Sequence, residues 1–146
     1  MTLMVNFGFY DAMTEGLEGW MTTSNTQNYL EIYSGTMIDD PDDWVVGGVG
    51  SPTGLLVTFS NFRAIHGYST DVQALYFQAG LTPNPNPVNA SATGTAAWYA
   101  MYTLSRAEPL IGEVTVTGGT GTLQLDSLSL TSGNPVTITH WGLRFE

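Results

Sequence analysis

The chain has 146 residues, a length that fits one domain and buries roughly 70% of its unfolded surface without staples. It carries 13 acidic residues against three basic ones, for a net charge of −10, and it has no cysteine. That balance excludes nucleic acid and anionic membrane as partners, since both need clustered cations. It also excludes disulfides, thiolate metal sites and thiol nucleophiles.

All the basic residues are arginines: Arg63, Arg106 and Arg144. Only 11% of residues are charged, well under the roughly 25% of ordinary domains. Solubility then falls to Thr, Ser, Asn and Gly. Low charge beside 12% aromatic content fits surface made for contact, because charge is depleted at interface cores; it fits equally a hydroxyl-rich β exterior. No apolar run reaches the 18 residues of a membrane span, and residues 1–20 lack a basic signal-peptide start, so the expectation is a protein made and used without secretion, or one that leaves its cell by lysis.

In chain order, Asn6 to Leu17 is the one helix candidate. Phe7, Tyr10, Met13 and Leu17 recur at helical spacing, with Asn6 as cap and Gly19 as stop. Gly8 and Gly16 weaken that helix, and an extended arm along a neighbouring subunit is the competing reading. Trp20 to Asn28 reads as loop. Tyr29 to Tyr33 alternates as a strand, with Leu30 and Ile32 on one face and Tyr29, Glu31 and Tyr33 on the other.

A long connection follows, containing Asp39-Asp40-Pro41-Asp42-Asp43. Oxygen-rich clusters suit calcium, but the EF-hand spacing is missing, so a solvated acidic turn is the expectation. Leu55, Val57 and Phe59 then form an inward face, opposite Leu56, Thr58 and Ser60. Residues 61–70 read as a turn holding Arg63, His66 and Tyr68, with His66 an ordinary loop histidine. Val72 to Ala79 reads as a strand. Residues 81–93 hold three alternate prolines, which forbid helix and predict an extended crossing between sheets.

The last third supplies more strands. Trp98, Ala100, Tyr102 and Leu104 share one face and Ala97, Tyr99 and Met101 the other, so this strand is buried on both sides or sits at a subunit contact. Val114 and Val116 point inward, and Gly118-Gly119-Thr120-Gly121 turns the chain. Leu123 and Leu125 are followed by a change of frame near Asp126-Ser127 before Leu128 and Leu130. Val136 and Ile138 give way to Trp141, Leu143 and Phe145, a parity switch that demands a β-bulge near Thr139-His140. His140 is structural on this reading. The pattern predicts an all-β fold of seven or eight strands: a single β-sandwich, Ig-like or jelly-roll, with a short N-terminal helix or arm over 1–20. A closed barrel is the alternative.

No nucleophile elbow, P-loop or metalloprotease motif is present, and no cofactor or metal is expected. Glu31 and Glu113 could be imagined as a glycosidase pair, but each alternates with core residues and reads as a solvent-facing spacer. The chain therefore reads as a non-enzyme. Trp20, Trp44, Tyr29, Tyr33 and Tyr68 could stack on sugar rings, which makes a carbohydrate-binding module the second reading; the alternative is burial against a partner subunit.

The order of features resembles a group of small tailed-phage virion proteins. It carries Asn-Phe-Gly-Phe-Tyr-Asp-Ala-Met at Asn6–Met13, Leu-Glu-Ile-Tyr-Ser-Gly-Thr at Leu30–Thr36 with Pro-Asp-Asp after it, and Gly-Leu-Leu-Val-Thr-Phe-Ser at Gly54–Ser60. Ala92–Tyr102 and Gly112–Thr139 carry the resemblance furthest. It spans nearly the whole chain but departs in 61–80 and in the Pro/Asn crossing, and it transfers no catalytic residue. It implies a capsid decoration, or cement, protein on the virion exterior, assembled in the host cytoplasm. The major capsid protein is the implied partner, and self-association as a homotrimer is implied as well. A tail or head-to-tail component is the alternative. The contact candidates are Phe7, Tyr10, Trp20, Asp39, Asp40, Trp44, Trp98 and Tyr99.

Overall fold

The computed structural model describes residues 29–38, 52–60, 65–68, 73–76, 87–102 and 109–144, with the backbone alone for 65–68, 73–76 and 143–144. The expected helix over Asn6 to Leu17, the acidic segment at Asp39–Asp43 and the prolines at 83 and 85 lie outside these residues. Every described element is a strand, so the chain is all-β. The strands are β1 (Tyr29–Tyr33), β2 (Leu55–Ser60), β3 (Ile65–Tyr68), β4 (Gln73–Tyr76), β5 (Val88–Asn89), β6 (Gly94–Thr95), β7 (Trp98–Tyr102), β8 (Leu110–Val116), β9 (Leu123–Leu125), β10 (Ser129–Leu130), β11 (Pro135–Val136) and β12 (Ile138–Arg144).

Eight of them form one mixed sheet in the order β2-β1-β7-β8-β9-β12-β4-β3. Two short pairs, β10-β6 and β11-β5, stand apart from it. Connectivity dictates the sheet's shape. β2 and β3 are its opposite edges, yet only residues 61–64 join Ser60 to Ile65. Laid flat, eight strands would put those edges about 33 Å apart at ordinary strand spacing. Five Cα steps reach no more than about 18 Å. The sheet is therefore curled, and its two edges approach one another.

The inner face of the curl holds the main core: Leu30, Ile32, Phe59, Met101, Leu123 and Trp141 are all fully buried. Tyr99 lies among them, and its ring covers Gly112, where an added Cβ would come within 2.7 Å of it. Burial pushes the Tyr99 hydroxyl above the ordinary tyrosine range, against the opposing pull of its hydrogen bonds with Thr122 and Trp141. Those bonds are 2.9 Å to Thr122 Oγ1 and 3.2 Å from the Trp141 indole N–H.

Two bulges set which side chains reach this core. Between β9 and β12, Ile138 pairs with Leu125 and His140 with Gln124, leaving Thr139 as the extra residue. The parity switch read from Ile138 to Trp141 is thus made where the pattern demanded it, and His140 is exposed. Between β1 and β2, Ile32 pairs with Val57 and Tyr33 with Leu55, so Leu56 is extra. This corrects the simple alternation expected there: Leu56 is buried and Leu55 is exposed. The Leu56 carbonyl accepts from the Ser91 and Ala92 N–H groups at 2.8 and 3.3 Å and from Ser91 Oγ at 2.9 Å.

Residues 61–70 were expected to turn, but Ile65–Tyr68 forms a strand hydrogen-bonded to Gln73–Tyr76, with His66 opposite Leu75. A larger departure lies at Gly118 to Gly121. Instead of reversing the chain into an antiparallel hairpin, residues 117–122 return it so that β9 lies parallel to β8, with Val114 opposite Leu123 and Val116 opposite Leu125. Parallel neighbours ordinarily need a crossover of a dozen or more residues. Here the link is short because it folds back over Thr115: a Cβ at Gly121 would meet Thr115 Cγ2 at 2.7 Å. Gln124 holds the loop from inside, accepting from Gly118 N at 3.0 Å and donating to the Gly119 carbonyl at 2.8 Å. Val116, expected inward, is 47% exposed at the strand's end.

Candidate functional site

Strand β7 runs through the middle of the sheet and every one of its residues is buried. Its outer face meets that of β1 in register: Tyr102 opposite Tyr29, Ala100 opposite Glu31, Trp98 opposite Tyr33. Tyr33 stacks on Trp98 at 4.4 Å between ring centroids and 14° between planes. Tyr29 stacks on Tyr102 at 5.5 Å and 27°. Glu31 sits between the two stacks above the small Ala100, and it receives the Tyr33 hydroxyl at 2.5 Å. Ile38, Ala97 and Ile111 pack around Tyr33, Trp98 and Ala100.

This arrangement corrects two expectations. Glu31, read as a solvent-facing spacer, is 6% exposed. Alternation correctly placed it on the face away from Leu30 and Ile32, but that second face is buried as well. Tyr33, read as a ring open to sugars, is occupied by Trp98 and loses that role. Glu113 is exposed as expected, and it lies opposite Trp98 on β8. Glu31 projects from the outer face of β1, whose neighbour β7 separates it from β8.

Of the contact candidates, Trp98 and Tyr99 are 2% and 1% exposed. The two-sided burial of their strand is met within one chain, so neither needs a partner subunit to cover it, and neither offers a contact surface. Phe7, Tyr10, Trp20, Asp39, Asp40 and Trp44 lie outside the described residues. Among the described residues the buried Trp98 indole N–H finds no hydrogen-bond partner, whereas that of Trp141 donates to Tyr99. Among the described residues, no group of three or more His, Asp and Glu could hold a metal ion.

The exposed surface is more informative than the interior. Among the described exposed residues, Glu113 and Asp126 carry the only carboxylates, and no arginine is among them. Asp126 turns one oxygen inward to its own chain, accepting from Ser127 N at 3.0 Å and Thr137 N at 3.3 Å. The rest are mainly Thr, Ser, Gly, Asn and Pro, joined by Met37, Leu55 and Val116 at 37%, 38% and 47% exposure. No sequence signal marked those three as a set. Their exposure follows from the Leu56 bulge and from the strand ends. No family model, curated protein or solved structure matches this chain.

Proposed function

We propose that this protein is a structural adhesion module of a phage virion, a decoration protein that binds the shell of major capsid protein from outside and stabilises it. The observation that carries the reading is the low charged fraction of the whole chain, 11% of its residues, beside 12% aromatic content. A surface of hydroxyls and scattered apolar groups is suited to lasting contact, because docking it strips few ions of water. The residues that carry the resemblance, Ala92–Tyr102 and Gly112–Thr139, build the framework around this surface.

Stabilisation then follows from mass action. A protein that binds assembled shells and not separated subunits favours the assembled state by about 2.7 kcal/mol per site at a hundredfold excess over Kd. The test is to mix the purified protein with capsids and with sheared tails. Pelleting with capsids, together with a rise in capsid melting temperature, is the expected outcome. Pelleting with tails alone would transfer the protein to the tail.

A further inference from the structure

The outer face of β1 and β7 holds chemistry that adhesion does not use. Tyr33 and Trp98 are directly opposite in the strand register, and their rings stack with centroids 4.4 Å apart and 14° between planes. Rings at that separation are in face-to-face contact, so an electron can pass between them with no bridging group. The Tyr33 hydroxyl also donates to Glu31 Oε2 at 2.5 Å. One phenol therefore touches an electron partner on its face and a proton acceptor at its edge. All three side chains are buried.

We propose that Trp98, Tyr33 and Glu31 form a proton-coupled electron relay, in which an oxidising equivalent reaching Trp98 is passed to Tyr33 as the Tyr33 proton moves to Glu31. The oxidant is a one-electron acceptor from outside the chain, a peroxyl or carbonate radical. It takes one electron from the Trp98 indole, is itself reduced by that electron, and leaves the indole a radical cation. One electron then crosses the stack from Tyr33 to Trp98. The Tyr33 O–H bond breaks and a new O–H bond forms on Glu31. The products are a neutral Trp98, a neutral phenoxyl radical on Tyr33 and a protonated Glu31. A thiolate or ascorbate of the surroundings resets the site, supplying one electron to Tyr33 while Glu31 returns the proton. Held in the interior meanwhile, the Tyr33 radical cannot meet a second tyrosine and couple to it.

Burial sets the direction of transfer. Among the described residues the Trp98 indole N–H finds no hydrogen-bond partner, so an oxidised indole has no acceptor there for its proton and keeps its positive charge. An uncompensated charge is costly in the interior. Tyr33 can shed its proton instead. An oxidised phenol is a far stronger acid than a carboxylic acid, so Glu31 takes the proton whatever other bonds it makes. Transfer thus replaces a buried cation and a buried carboxylate by two neutral groups. The inner tyrosine–tryptophan pair lacks this arrangement. Trp141 donates to the Tyr99 oxygen at 3.2 Å, and Tyr99 meets Thr122 Oγ1 at 2.9 Å, a hydroxyl in place of a carboxylate. A neutral hydroxyl accepts a hydrogen bond but does not keep a proton. The relay needs only the folded chain and stands apart from the decoration reading.

The experiment is flash photolysis of the purified full chain, with photogenerated ruthenium(III) tris-bipyridine as the one-electron oxidant. Transient absorption follows the tryptophan radical and the phenoxyl radical. The chain holds four tryptophans and seven tyrosines, so the expected signature is kinetic: a fast phase in which the phenoxyl band rises as the tryptophan band decays. In wild type that phase should be slower in deuterium oxide than in water. Tyr33→Phe and Trp98→Phe, each checked for an unchanged circular dichroism spectrum, should lose it. Glu31→Gln keeps an acceptor oxygen but cannot hold the proton, and should slow it. Tyr99→Phe should leave it unchanged. A wild type without the fast phase overturns the relay, with no variant needed. So does a fast phase that survives in Tyr33→Phe, or one lost in Tyr99→Phe, which assigns it to the inner pair. Equal rates in the two solvents, or Glu31→Gln as fast as wild type, overturn Glu31 as the proton acceptor and the relay with it. No capsid enters the measurement, so each of these results leaves the decoration reading where it stood.

Discussion

The Tyr33 hydroxyl donates to Glu31 across 2.5 Å, two positions back along the same strand, and both side chains are buried. Within a strand, residues two apart share a face, so one short segment supplies both the acid and its donor. Removing the donor leaves a buried carboxylate with one bond fewer. Tyr33→Phe is therefore expected to cost about 1–3 kcal/mol, a loss the retained stack on Trp98 does not offset. Urea denaturation of Tyr33→Phe, Glu31→Gln and the double variant measures it, with the double expected to cost less than the sum.

The short parallel link between β8 and β9 depends on a missing side chain. Gly121→Ala places a methyl group 2.7 Å from Thr115 Cγ2 and 2.9 Å from its Oγ1. A loss of about 1–3 kcal/mol is expected from this overpacking. Thr115→Ala in the same chain removes both atoms and should restore part of the loss. It also removes the bond from Gly121 N to Thr115 Oγ1, so recovery stays incomplete. Thermal melts of the two single variants and the double decide it.

Burial raises the Tyr99 pKa, which has a consequence at alkaline pH. A group whose folded pKa lies above its unfolded value contributes stability that is fully present below the unfolded pKa, about 10 for tyrosine. That contribution is lost as pH rises from there through the folded value. Tyr99→Phe removes the ionisable group, so its melting temperature should fall less steeply than wild type above pH 10. Near neutral pH the same variant should be less stable, having lost its bonds with Thr122 and Trp141.

The two buried tryptophans should respond differently to loss of the indole N–H. That of Trp141 donates to Tyr99, while that of Trp98 has no partner among the described residues. Trp98→Phe keeps a ring against Tyr33 and discards an unsatisfied donor. Trp141→Phe breaks a bond and leaves Tyr99 short of one. Guanidinium denaturation should show Trp98→Phe as the milder change, by about 0.5–1.5 kcal/mol.

Local pattern alone determined a good deal about this protein. Alternation identified the all-β class, both apolar faces of Trp98–Tyr102, and the extra residue at Thr139 between Ile138 and Trp141. These follow from a period of two along the backbone, which any strand must obey whatever lies beside it. The tertiary structure alone decided the rest. Alternation sorts Glu31 onto the face away from Leu30 but carries no record of what covers that face. Val116 obeys the inward parity and is exposed because β8 ends there. The Leu56 bulge depends on Ser91 and Ala92, more than thirty residues along the chain, taking its carbonyl. Gly118 to Gly121 reads as an ordinary turn until Thr115 and Gln124 are seen to hold it parallel to the strand before it. Each of these outcomes is set by a partner distant in sequence or by where a strand stops, and periodicity encodes neither.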